Sequence, residues 1–439
     1  MSKPAAKRKQ LRLQVINNWL AVVSRYQSAP MAIPPSQIVR SLRLLAQIKV
    51  LSNSRGSVLP AVVAAVTALT HAAITDNSVR KATVLGRLAD AVAAHPDLAK
   101  ALAEDPEASR SISELLSASA AAPATFEQAA AITQVATAQV RLRRGCPPFW
   151  EYLHSTHVCM HGDARLAATL LFTRLKLARL RLLPFPEAHA WDTLLRSACA
   201  RASTGGPRFV SNCLLALAYA AEAPDLEADA STVSVLLGAA QQAAPDMNAQ
   251  EVANTLWALS VLHVPLSTPT YAALVDAVTR TAPEMNAQNV ANTSLAFGRL
   301  GTFFHGPAGA ALMLQMAAVA GRWNAQEVAN TLWALRTVKG CLPEPVCEAL
   351  LASLERTALQ LSVEELRFVL EGLVTLRESF TATRGVRARL LCATRRLAAT
   401  SDHFHSSRII CTLIELGWKI PRALGALRPA AVHEEMAVS

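Results

Sequence analysis

Residues 248–259 read N-A-Q-E-V-A-N-T-L-W-A-L, residues 286–297 read N-A-Q-N-V-A-N-T-S-L-A-F, and residues 324–335 return to N-A-Q-E-V-A-N-T-L-W-A-L. The starts lie 38 residues apart both times. A fixed period of this length marks a repeat array. Another 38 residues on, 362–373 read S-V-E-E-L-R-F-V-L-E-G-L, which keeps the apolar frame and loses the Asn. Degenerate copies fit the frame at 166–172, 210–217 and 409–416, which gives seven units from about 147 to 418, and 38–45 is an outlying eighth.

Within a unit Val252, Leu256 and Leu259 follow the i, i+4, i+7 spacing of a helix. A second apolar stretch, such as 271–278, is set off by prolines: Pro265 and Pro269 here, Pro343 and Pro345 in a later unit. Proline is tolerated at a turn or a first helical position, so the unit reads helix, turn, helix. One hairpin cannot cover its own apolar stripe, whereas stacked hairpins bury a continuous core. The expected fold is an all-α solenoid with a concave face.

The chain of 439 residues is 52% hydrophobic and 17% charged, which excludes a disordered polymer. Its eight cysteines stand singly with no C-x-x-C pair, as reduced thiols do. The longest apolar run, 58–70, is short of the roughly 20 residues a membrane span needs, so no membrane partner is expected. Of the net charge of +11, a large share lies at the start: residues 1–75 hold ten Lys or Arg and no Asp or Glu. With Leu13, Ile16, Leu20 and Val23 at helical spacing, this start reads as an organelle transit peptide, or as a basic arm that touches phosphates. Mitochondrion is preferred to chloroplast because the start is basic and amphipathic. The expected organisation is a targeting segment or arm at 1–35, a divergent helical region at 36–140 with a linker near 104–125, the solenoid at 141–420, and a tail at 421–439.

The repeat resembles the octotricopeptide-repeat family, whose 38-residue unit joins a P-P-P-E-W-like helix start to a Q-x-(V/L)-A-N-x-L-W-A-L helix. Three copies match the second half almost letter for letter. The first half survives weakly in Pro147-Pro-Phe-Trp150, around Trp191 and in Pro269-Thr-Tyr271. The resemblance implies an organellar RNA-binding protein that stabilises, processes or promotes translation of transcripts, or a ribosomal component. Some members carry a C-terminal RAP domain; 23 residues follow Leu416, so the resemblance implies binding without cleavage. Its implied partners are organellar messenger, precursor or ribosomal RNA, with mitochondrial ribosomal proteins if it resides on the ribosome.

Candidate RNA contacts follow from the repeat frame. Asn254, Asn292 and Asn330, with Asn212 upstream, are either an amide ladder bonded to neighbouring backbone or donors and acceptors for base edges. Trp257 and Trp333 read as packing residues between hairpins, with base stacking as the other use. Two series vary in type at a fixed place: Glu251, Asn289, Glu327, Glu365, and Arg174, Ala218, Ser260, Gly298, Arg336, Val374. The first also suits an acid at a helix start, the second a solvated face. Phosphates need cations. One source is Arg141, Arg143, Arg144, Arg165, Arg174, Lys176, Arg179 and Arg181, in a segment with eight basic and two acidic residues; another is Arg384, Arg387, Arg389, Arg395 and Arg396. Arg299 and Arg336 close two of the repeated helices.

His154, His157 and His161 share a helical face with Cys159 between them, a spacing that suits histidines beside an RNA-facing surface better than zinc, because Cys159 points elsewhere. No phosphate-binding loop, dinucleotide fingerprint, zinc-protease or nucleophile-elbow motif occurs, so neither an enzyme nor a cofactor is expected. A protein-binding scaffold of the armadillo or HEAT type is the reading from another class, and it places the Arg clusters away from the groove.

Overall fold

A computed structural model describes residues 19–21, 34–47, 59–75, 81–120, 129–155, 163–301, 306–337, 342–377, 381–398 and 402–421. Of the targeting segment or arm only residues 19–21, 34 and 35 are described, and there Trp19 is buried and donates from Nε1 to Ser41 O at 3.0 Å; the tail beyond 421 and His157, Cys159 and His161 lie outside the described residues. The fold is an all-α solenoid, with no strand among the described residues. It divides into two compact units, one of residues 1–205 with 222–227 and one of 206–221 with 228–439. The division falls near 205, downstream of the boundary expected at 140.

In the first unit the helices are α1 (Pro35–Gln47), α2 (Leu59–Thr75), α3 (Lys81–Ala94), α4 (Pro96–Glu104), α5 (Pro106–Ala120), α6 (Ala129–Arg141), α7 (Pro147–Ser155), α8 (Ala164–Arg179) and α9 (Ala188–Cys199). They stack in two rows: α1, α3, α6 and α8 pack in succession, and so do α2, α5 and α7. The outlying copy at 38–45 therefore belongs to a continuing stack, and helical pairing runs well upstream of 141. The Ser- and Ala-rich stretch expected as a linker is largely α5, whose Ile112, Leu115 and Leu116 are buried. Composition misled there, because small residues serve tight helix packing as well as they serve a linker.

The second unit comprises α10 (Pro207–Ala220), α11 (Ala230–Ala243), α12 (Ala249–Leu262), α13 (Thr268–Thr281), α14 (Ala287–Arg299), α15 (Gly306–Val319), α16 (Ala325–Leu335), α17 (Glu344–Thr357), α18 (Val363–Thr375), α19 (Arg384–Leu397) and α20 (His403–Glu415). The even-numbered, second helices of each repeat pack on one another in one row, and the odd-numbered, first helices form the other. Each of α11, α13, α15 and α17 runs into a one-turn 3-10 helix. A buried residue follows, Met247, Met285, Trp323 or Leu361, and then the cap of the next second helix.

The caps explain why the repeats begin with N-A-Q-E. Asn248 Oδ1 accepts from the Gln250 and Glu251 backbone, while Glu251 Oε2 accepts from Asn248 N at 3.0 Å. Asn324 with Glu327 and Ser362 with Glu365 repeat this reciprocal capping box. It satisfies donors that every helix start leaves open. Asp402 caps α20, which sets its register: Ser406, not Ile409, takes the place of Val252. The expected frame of the last unit was thus one turn late.

A second regularity ties repeat to repeat. Arg280 on α13 donates to the Ala244 and Met247 carbonyls at 3.1 and 2.8 Å, and Arg356 on α17 donates to Ala320 and Trp323 at 3.1 and 2.7 Å. Arg396 on α19 reaches Leu361 O at 2.6 Å, and on α15 Gln315 takes the role toward Met285 O at 2.6 Å. The inter-repeat ladder is built of first-helix arginines.

Candidate nucleic-acid interface

Burial along the second helices repeats with their period. Counted from the cap, positions 2, 6 and 9 of α12 are Gln250, Asn254 and Trp257; Gln250 is exposed, and Asn254 and Trp257 are half-buried between fully buried neighbours. In α16 the same positions are Gln326, Asn330 and Trp333, with the same burial; in α14 Gln288 is exposed, Asn292 half-buried and Leu295 buried. Asn212 on α10 is half-buried as well. The four asparagines thus form one stripe, one per repeat, on the face of the second-helix row turned away from the first helices.

Among the described residues, none of these four amide side chains has a hydrogen-bond partner in the protein. The expected amide ladder is absent, and its mechanical role belongs to Arg280, Arg356 and Arg396. A half-buried amide without an internal partner keeps a donor pair and an acceptor for a ligand. The two indoles are half-buried and pack between repeats, as expected. Trp257 meets Tyr219 edge-on at 5.9 Å between ring centroids, and Trp333 lies 5.6 Å from Phe368 at a tilt of 38°. Each packs between repeats and keeps a part-open face.

Most members of the two variable series are taken up inside the protein. Glu251, Glu327 and Glu365 are consumed by capping boxes, and Asn289 is buried. In the other series Ala218 and Ser260 are buried, with the Ser260 hydroxyl bonded to Trp257 O at 2.7 Å. Arg174 is one residue out of register and also buried: Nη1 donates to Pro184 O at 2.7 Å, and burial pulls its guanidinium down to about 10. Arg336 stands 4.2 Å over the Trp333 ring and pairs with Glu371 at 3.3 Å. Desolvation holds Arg299 below its ordinary pKa, with the Glu364 carboxylate opposing the shift.

The cation clusters divide as well. In the first unit Arg141 pairs with Asp90, Arg179 with Glu222 at 2.8 Å, and Arg144 donates to Ser109 and Ser113. These are structural contacts. Arg143, Arg165 and Arg181 are exposed with no ion pair among the described residues. Counted from the Asp163 cap, α8 offers Arg165, Thr169, Phe172 and Lys176 at positions 2, 6, 9 and 13, a basic version of the same stripe. In the second unit Arg384, Arg387, Arg389, Arg395 and Arg396 all belong to α19, in the first-helix row, so they do not border the asparagine stripe. Arg389 pairs with Glu355 at 4.0 Å, and Arg387 lies 5.4 Å from the Trp418 ring centre. Burial and the Arg174 charge keep His154 below its ordinary pKa. Among the described residues no group of three His, Cys, Asp or Glu is placed to hold a metal, and no helix is long and apolar enough to cross a membrane.

A protein-family profile described as "Protein of unknown function (DUF1601)" matches residues 234–256, 272–293 and 319–332, which lie on α11 to α16. A search of curated proteins gives no match. Among solved structures the chain is similar to one in "Homology model of the full-length AP-3 complex in an intermediate open conformation", at 13% identity over 93% of this chain and 71% of that one, with a TM-score of 0.26. It is also similar to an engineered protein, at 15% identity over 93% of this chain and 97% of that one, again with a TM-score of 0.26. Likeness at this level says nothing about function.

Proposed function

We propose that the protein is an organellar RNA-binding solenoid, a binder and not an enzyme, that holds single-stranded or loop RNA along the second-helix row. The observation that carries this reading is the stripe of Asn212, Asn254, Asn292 and Asn330, half-buried and without partners inside the protein. Amides offer both donor and acceptor to base edges, and the part-open Trp257 and Trp333 add surfaces on which a splayed base stacks. The resemblance of the repeat to octotricopeptide proteins supports the same ligand and a role in transcript stability, processing or translation. The basic, amphipathic start supports mitochondrial residence, with the chloroplast as the alternative compartment. Residence on the mitochondrial ribosome is the variant of this reading in which exposed Arg143, Arg165 and Arg181 of the first unit meet ribosomal RNA.

A protein-binding scaffold has one observation in its favour: the α19 arginines lie in the row away from the stripe. Crosslinking the protein to RNA in isolated organelles, with sequencing of the bound fragments and sedimentation of the same extract, separates the readings. Reads on one transcript in light fractions mark a free factor, and reads on ribosomal RNA in heavy fractions mark a ribosomal subunit. No enriched RNA refutes the proposal and leaves the scaffold.

A further inference from the structure

The second-helix row changes character after Asn330. At the stripe position α18 carries Phe368 and α20 carries Arg408, and at the Trp257 and Trp333 position α18 carries Glu371. Guanidiniums from α18, from α20 and from the C-cap of α16 converge on that carboxylate. Arg367 Nη1 lies 2.8 Å from Oε1, Arg336 Nη1 3.3 Å from Oε2, and Arg408 Nη2 3.6 Å from Oε1. The Glu371 side chain is 12% exposed, those of Arg336 and Arg408 35% and 58%, so the carboxylate forms the floor and two cations the open rim.

Three cations around one anion leave two positive charges uncompensated. Desolvation holds the Arg336 pKa below its ordinary value; the Glu371 carboxylate opposes this, and the Arg367 and Arg408 charges add to it. The Arg367 Nε is buried without a hydrogen-bond partner. Aromatic rings fix the arrangement: Arg336 lies 4.2 Å over Trp333, Arg367 4.6 Å over Phe368. A structural ion pair needs one cation per carboxylate, and the surplus here is a standing repulsion unless an anion relieves it. Rigid guanidinium forks suit phosphate oxygens. A phosphate monoester carries close to two negative charges near neutral pH, and a diester inside a strand carries one.

We propose that Arg336, Arg367 and Arg408, set around Glu371, bind the terminal phosphomonoester of an RNA strand whose bases run along the asparagine stripe. This rests on the RNA-binding reading. The surplus of two charges matches a monoester, and the site begins where the amides stop, as the end of a bound strand requires.

The test uses the full chain and single-stranded RNA oligonucleotides of one sequence, about ten nucleotides long, bearing a 5′-phosphate, a 3′-phosphate or hydroxyls at both ends. The proposal expects one phosphorylated form to bind about tenfold tighter than the hydroxyl form. Arg408→Gln, an exposed position, brings the phosphorylated form down to the affinity of the hydroxyl form. Millimolar inorganic phosphate erases the same gap in the unmodified protein. Equal binding of all three oligonucleotides overturns the terminal site and leaves the RNA reading intact, as does a gap that survives in both Arg408→Gln and the Arg336→Gln, Arg408→Gln double variant. Binding of none overturns the RNA reading and the site together.

Discussion

Arg356 on α17 donates to the carbonyl oxygen of Trp323 at 2.7 Å, thirty-three residues upstream, and so fastens one repeat to the turn that opens the helix before it. Arg280 and Arg396 make the equivalent bonds. Replacing Arg356 by Ala removes two charge-assisted bonds at a part-exposed site and is expected to cost about 1–2 kcal/mol. Denaturant unfolding checks this. The same substitution at Arg396 removes the bond to Leu361 O, is expected to cost about 1 kcal/mol, and leaves RNA affinity unchanged, whereas a loss of RNA binding without a loss of stability would make Arg396 a phosphate contact.

The second helices approach closely enough to require glycine. A Cβ on Gly298 would stand 2.9 Å from the Ala334 Cα, which is backbone and has little room to give. In a free helix Gly to Ala gains up to about 1 kcal/mol. Here Gly298→Ala is expected to destabilise by about 1–3 kcal/mol through a forced shift of α16. A rise in the unfolding midpoint would show that the row is looser than described.

Arg174 separates burial from binding. Its guanidinium is covered, has one hydrogen bond to Pro184 O, and leaves Nε without a partner. Arg174→Met keeps the aliphatic packing and removes a poorly compensated charge, so stability is expected to hold or rise by about 1 kcal/mol. RNA affinity stays unchanged in a binding assay. A tenfold loss of affinity would place Arg174 back among the phosphate contacts.

Two capping carboxylates set an acid limit. Asp229 accepts from the Thr232 backbone and Asp402 from the His405 backbone, and these bonds hold both carboxyls below their ordinary range. The folded chain then takes up these protons less readily than the unfolded chain. Their stabilisation is complete above the unfolded value, about 4, and is lost as pH falls through the lower folded value. The unfolding midpoints of the native chain and of the Asp229→Asn, Asp402→Asn variant are expected to differ at pH 6 and to converge below pH 4. A constant difference down to pH 3 would contradict the assignment.

The period and the second helix of the unit were legible in residues 248–259, because the repeats at 248 and 324 use the same letters for the same backbone need and the repeat at 286 nearly so. The roles inside the repeat were not. Arg280, Arg356 and Arg396 recur at the end of first helices, which was the available sign of the ladder, but the first helices diverge too far for the period to stand out. Arg174 looked like one cation among several, since a sequence does not show that Leu170, Leu171 and Leu175 bury the helix all round. The Glu371 site leaves no mark in the sequence because its arginines come from three repeats and hold different positions in each. A repeat frame reveals what recurs, and a site built from departures needs the packed rows to be seen.

RNA binding along the asparagine stripe has a direct consequence for Asn254, Asn292 and Asn330. The direct test is the binding of fluorescent single-stranded RNA, drawn from a randomised pool, to the native chain and to a variant carrying Asn254→Ala, Asn292→Ala and Asn330→Ala. Alanine favours the helix, and these amides bond nothing within the protein, so the fold is retained by circular dichroism. The account predicts an affinity at least tenfold weaker in the variant, from roughly 1 kcal/mol lost per amide contact. An affinity equal to that of the native chain, in a variant folded as well as the native one, would contradict it.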